Sequence, residues 1–162
     1  RQPEEEIGMF KQMRRADRAL EADQATAVLA KGGYGILSTT GEDGYAYGVP
    51  LSYVYIQDAI YFHCAPEGLK LDNIRHNNRV SFCVVGETLP LAEKFSMRYE
   101  SVIVAGRASE VEGAEKDRAL QALIEKYSGA YMEKGHKYIE SDSHKTKVIR
   151  ISIENITGKA RR

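Results

Sequence analysis

Apolar residues alternate with small or polar ones along several stretches of the chain, and this period of two predicts strands. The first covers Tyr34–Thr40. It ends in Thr40-Gly41-Glu42-Asp43-Gly44, where Asp43-Gly44 is a pair favoured in tight hairpin turns. Tyr45–Ile56 then predicts one long strand with two unlike faces. One face carries Tyr45, Tyr47, Val49, Leu51, Tyr53 and Tyr55, and the other Ala46, Gly48, Pro50, Ser52, Val54 and Ile56. Pro50 has no N–H to donate, so the strand lies at a sheet edge or bulges there. The small residues of the second face leave room for a flat object. Gln57-Asp58 turns the chain into a third strand, Ala59–Cys64, which Pro66-Glu67-Gly68 ends. Val80–Val85, Met97–Ser109 and Lys147–Ile153 bring the total to about six strands.

Helical spacing is confined to shorter runs. Gln24–Lys31, with Asp23 as N-cap, aligns Ala25, Val28 and Leu29, and Gly32 offers a left-handed stop. Leu69–His76 fits two turns, with Leu71 and Ile74 inward. Ala114–Tyr127 predicts a long helix whose stripe is Ala119, Leu120, Leu123, Ile124 and Tyr127. Gly86–Ser96 reads as a loop, and residues 130–145 as a loop with a helical turn. Residues 1–22 read as an irregular arm and Gly158–Arg162 as a frayed basic tail. Short links between successive strands favour antiparallel pairing. The expected fold is mainly β with helices: a β-barrel of one domain over 1–162, with one long and two or three short helices.

Charge narrows the partners. Charged residues make up 28% of the chain and the formal net charge is zero, which gives no reason to expect nucleic acid or an anionic membrane. No apolar run approaches the ~18 residues of a membrane span. Cys64 and Cys83 fall in predicted strands and read as buried, reduced thiols of a cytoplasmic protein. C-x-x-C, H-E-x-x-H and P-loop patterns are absent, and His76, His136 and His144 have no metal-ligand spacing. No metal site is expected.

Candidate chemistry concentrates in Ile60–Lys70, where a strand breaks at a Pro/Gly turn and a short helix begins. Backbone N–H groups at a helix start, with Lys70 beside them, suit a phosphate. A solvated lysine is the plain alternative. His63 is the one histidine inside a predicted strand. It is either a satisfied structural group or a pocket residue able to donate a proton near neutral pH.

Three further segments stand out together with these: Tyr34-Gly35-Ile36-Leu37-Ser38-Thr39, Gly44-Tyr45-Ala46-Tyr47-Gly48-Val49-Pro50-Leu51-Ser52-Tyr53-Val54-Tyr55, and Lys70-Leu71-Asp72-Asn73-Ile74-Arg75. Their order and spacing around Ile60-Tyr61-Phe62-His63-Cys64-Ala65 resemble the pyridoxamine 5′-phosphate oxidase-like flavoproteins, and within them the nitroimidazole-resistance branch. The resemblance implies a split-barrel homodimer binding FMN at the subunit interface. It implies that Val49, Pro50, Leu51 and Ser52 lie near the flavin ring or ribityl chain, that Phe62 and His63 face FMN, and that Lys70 meets its phosphate. His63 would be the catalytic proton donor. The implied activity is an FMN-dependent oxidoreductase that reduces the nitro group of 5-nitroimidazole-like or other small oxidised molecules. The alternative is a flavin-binding or stress-response protein with little catalysis. Two departures stand out: Leu69 occupies the place of a histidine or arginine before the phosphate lysine, and the chain has no Trp.

Overall fold

The computed structural model describes residues 10–162. Residues 1–9 of the expected arm lie outside that span. Helix α1 (Ala22–Lys31) is followed by strands β1 (Gly35–Thr40), β2 (Ala46–Leu51), β3 (Val54–Ile56) and β4 (Ala59–Cys64). Helix α2 (Leu69–His76) leads to β5 (Arg79–Leu91) and β6 (Ser96–Val111). Helices α3 (Gly113–Ser128) and α4 (Met132–Asp142) precede β7 (Lys147–Arg161).

The strands form one antiparallel seven-stranded sheet in the order β2-β1-β5-β6-β7-β4-β3. It is curled but not closed. β2 and β3 follow one another in the chain yet form the two opposite edges, so Ser52-Tyr53 carries the chain across the opening of the barrel. The expectation of one strand over Tyr45–Ile56 is corrected here. The alternation of residue types continues through Ser52, but the pairing partner changes from β1 to β4. Pro50 sits on an edge strand, where its missing N–H costs no ladder bond.

Register explains which residues enter the core. Val49, Leu37, Phe82, Val104 and Ile156 lie in one row across five strands and face inward. The neighbouring row of Pro50, Ile36, Cys83, Ile103 and Thr157 faces outward. Tyr53 is fully buried and meets Phe82 edge-on, with ring centroids 4.9 Å apart. Its hydroxyl donates to the Leu29 carbonyl, tying the crossing segment to α1. Gly32 lies against Val84 and the Tyr53 hydroxyl, and a Cβ there would collide with both. Its φ is −57°, so the left-handed stop expected of it is not formed. Close approach, rather than a turn, requires this glycine. α1 starts two residues earlier than expected, with Glu21 rather than Asp23 at the N-cap: the Glu21 N–H donates to Gln24 Oε1 at 3.1 Å, and Asp23, inside the first turn, accepts from the Gln24 N–H at 2.9 Å.

Three other expectations change. Gly86–Ser96 is not a loop: β5 and β6 continue as a long hairpin past a bulge between Val85 and Thr88. Residues 130–145 hold α4, a helix of 11 residues. The tail expected to fray is strand as far as Arg161, which pairs with Tyr99.

Candidate functional site

β4 serves two cores at once. Ile60, Phe62 and Cys64 point into the barrel, while Ala59 and Tyr61 point the other way, into a second cluster beneath α3 with Val111, Leu120, Leu123 and Val148. His63 belongs to this second face, at its open end, and is exposed. An ion pair fastens α3 over the strand: Arg150 Nη1 lies 2.6 Å from Glu115 Oε1, which also accepts from the Tyr61 hydroxyl at 3.2 Å.

Where that second cluster ends, a cavity of about 650 Å³ opens between the strands, α3 and α4. Ser52 and His63 meet there from the strand side. The α3 wall is Leu120, Leu123, Ile124, Tyr127 and Ser128. The α4 wall is Lys134, Gly135, Tyr138, Ile139 and Asp142, with Tyr131 in the turn just before the helix. Both sets recur at helical spacing, so each helix presents one continuous stripe to the hollow. Gly135 lets the helices close up, since a Cβ there would press on Ile124. A shallower recess continues past His63 along Cys64 and Ala65, toward the turn before α2.

Lys70 stands at the first turn of α2, half-buried, and makes no ion pair among the described residues. Gly68, with φ 151°, turns the chain into the helix, and its carbonyl accepts from Leu71 and Asp72. Helix starts of this kind leave their first N–H groups pointing outward. Burial raises the Cys64 thiol's pKa, against a smaller lowering by the Lys70 and Lys147 ammonium groups. Arg75, on the same helix as Lys70, is paired with Asp72 at 3.0 Å.

The other predicted residues divide. Val49 and Leu51 pack against the barrel core, and Pro50 lies on the outer face. Ser52 reaches the cavity. Phe62 is fully buried in the barrel core, so its side chain does not share a face with His63. Adjacent residues of a strand point apart, and only one of this pair can look into the cavity. Solvent still reaches His63, but the groups packed around its ring desolvate it and lower its pKa below the ordinary value.

The crossing segment beside Ser52 is held by α3. The Tyr127 hydroxyl donates to the Gly33 carbonyl at 2.8 Å and accepts from the Tyr53 N–H at 3.0 Å. Lys126 Nζ donates to the Tyr53 carbonyl at 3.0 Å and lies 4.0 Å from the centre of the Tyr53 ring. Backbone groups at an unpaired crossing need such partners. The sequence reading missed these two residues and the whole α4 wall. The α3 stripe ending at Tyr127 was the signal present for the first.

Known proteins agree with this architecture. The sequence model of the pyridoxamine 5′-phosphate oxidase family matches residues 21–160. No curated protein matches the chain. Among solved structures, a protein of Bacteroides thetaiotaomicron, provisionally named for 5-nitroimidazole antibiotic resistance, is 23% identical. That match covers 87% of this chain and 85% of that one, with a TM-score of 0.76. A FAD-binding protein from Mesorhizobium loti is 28% identical over 90% of this chain and 98% of that one, with a TM-score of 0.64. A flavocytochrome of Azotobacter vinelandii is 19% identical over 93% and 72%, with a TM-score of 0.77. Among the described residues no helix is long and apolar enough to cross a membrane. With a split, seven-stranded antiparallel sheet and a family match over nearly all of its length, the chain belongs to the pyridoxamine 5′-phosphate oxidase family.

Proposed function

We propose that the protein is an FMN-dependent oxidoreductase that reduces small nitroaromatic molecules of the 5-nitroimidazole kind. The convergence of Ser52 and His63 at one cavity carries the reading, because they come from strands at one edge of the sheet and the crossing beside it. The flavin-binding and nitroimidazole-resistance names of similar structures support it. The residues present fit the cofactor. Lys70 and the first turn of α2 would hold the phosphate, and the recess along Cys64 and Ala65 leads from there to His63. Ser52 and the backbone of the crossing would meet the ring. Bound flavin supplies the reducing equivalents. His63 would deliver a proton to a nitro oxygen, and the apolar helix stripes would exclude water from it.

The outward row of Pro50, Ile36, Cys83 and Ile103 supports a homodimer in this reading, with FMN at the interface. Ile103 is 52% exposed and Val85 50% exposed, so this face is apolar without being covered in the single chain. The free thiols Cys64 and Cys83 fit a cytoplasmic setting.

A second reading, flavin binding with little catalysis, is favoured by one observation: desolvation lowers the pKa of His63, which reduces the protonated fraction that could donate. One experiment separates the two. Protein loaded with FMN is reduced anaerobically and mixed with a 5-nitroimidazole. Under the first reading the flavin reoxidises as the nitro absorbance falls, and His63→Ala keeps FMN but loses this step. Reoxidation unchanged in His63→Ala removes the histidine from catalysis, and none in the wild type leaves the second reading standing.

A further inference from the structure

The stripe of α4 has the spacing of a core face, yet α4 buries none of its residues completely. Tyr131 and Tyr138 are 66% and 64% exposed at the mouth of the cavity. Opposite them, Leu120 and Leu123 are buried and Ile124 is half-buried, and Ser52 and His63 form the floor. The space is an apolar slot with aromatic rims.

Its polar lining is mostly hydroxyl groups that donate or accept, with Lys134, at the solvent-exposed edge, the one group that only donates. Among the described residues Lys134 makes no ion pair. The one carboxylate in the lining, Asp142, lies 3.6 Å from Lys145. A ligand suited to this slot is flat, apolar in its body and rich in acceptor oxygens at one edge. Hollows of ~300–1,000 Å³ take drug-sized molecules, and one of about 650 Å³ is roomy for a single five-membered ring.

We infer that the helical half of the cavity is the acceptor pocket and that it takes a planar molecule of two or three fused aromatic rings. The ring body lies against Tyr138 and Ile139, and a carboxylate, carbonyl or nitro edge meets Lys134. The ligand's redox role rests on the flavin reading above, whereas its binding does not.

The chain has no Trp, so Tyr131→Trp places a single indole at the mouth. Tyr45→Trp, in the turn between β1 and β2, serves as a distant exposed control. The probe is 9,10-anthraquinone-2-carboxylate, titrated into FMN-free and FMN-loaded protein. The expected result is saturable quenching at one probe per chain in Tyr131→Trp, with only linear collisional quenching in Tyr45→Trp. Adding Lys134→Gln weakens binding about tenfold, as loss of a charge-assisted hydrogen bond should. In wild-type protein the probe raises the apparent KM for a 5-nitroimidazole and leaves kcat unchanged.

Linear quenching in both variants overturns the pocket. So does an indole already shielded in a concentration-dependent way before any probe is added, which assigns the face to a second copy of the chain. Affinity unchanged by Lys134→Gln overturns the orientation. Saturable binding without competition overturns the acceptor role. A protein that takes up no FMN but still shows saturable quenching sinks the flavin reading and keeps the ligand site.

Discussion

At the scale of single residues, His63 and Lys70 were legible because each owes its place to local pattern. Alternation through Ala59–Cys64 puts His63 opposite Phe62 and Cys64, and the Pro-Glu-Gly turn puts Lys70 at a helix start. Phe62 was assigned to the ligand through family likeness, against that same alternation, and the structure places it in the barrel core. Desolvation of the His63 ring has a pH consequence. Its folded pKa lies below the ordinary value of 6.5, so the unfolded chain binds the proton more readily. Stability contributed by the neutral group is complete above 6.5 and is lost as pH falls through that value toward the folded pKa. His63→Gln should flatten this acid slope in urea midpoints measured between neutral pH and the folded pKa. A slope identical to wild type would show that the imidazole titrates as if unfolded. For Lys70→Ala the expected change is weaker FMN binding by about one to two factors of ten, the worth of a charge-assisted phosphate contact. Isothermal titration of FMN-free protein measures it, and equal affinity would remove Lys70 from the phosphate site.

At the scale of elements, α3 was readable because its apolar stripe is long and regular, and α4 was not. Gly135 lies mid-helix, where glycine costs about 1 kcal/mol relative to alanine, and the stripe mixes tyrosine with Lys134 and Asp142. That mixture describes a wall facing a cavity, not a face packed on a core. The break between β2 and β3 was hidden for a different reason. Both sides of Ser52 are good strand sequence, and only the distant partners β1 and β4 reveal that two strands are present. Tyr127 binds the backbone at this break through one hydroxyl. Tyr127→Phe keeps the ring and removes both bonds, so it should cost about 1–3 kcal/mol in chemical denaturation, since the Tyr53 N–H is left without that partner. Tyr53→Phe, which loses the bond to Leu29 and keeps the contact with Phe82, should cost about 1 kcal/mol. A loss near zero for Tyr127→Phe would mean that water replaces the hydroxyl at the crossing.

At the scale of the whole molecule, the sequence supported an antiparallel barrel but not its strand order. Order depends on which distant rows match, and those rows are set by packing of Leu37, Phe82 and Val104 in a single layer. The same registers align an apolar row on the outer face. In the proposed dimer, Ile103→Lys would put a charge in the middle of that row. The expected outcome is a monomer in sedimentation velocity, with the barrel core intact by circular dichroism. A dimer that persists would place the subunit contact elsewhere.

β7 pairs with β6 along one side and with β4 along the other. Take it away and the sheet falls into two pieces, β2-β1-β5-β6 and β4-β3, with no ladder between them. It is also the last of the seven strands to be synthesised. The emerging chain therefore keeps one edge of β4 unpaired until residues beyond Lys147 leave the ribosome. A chain stalled within α4 would present two unpaired sheet edges, those of β6 and β4, awaiting the same missing partner, and such edges favour aggregation.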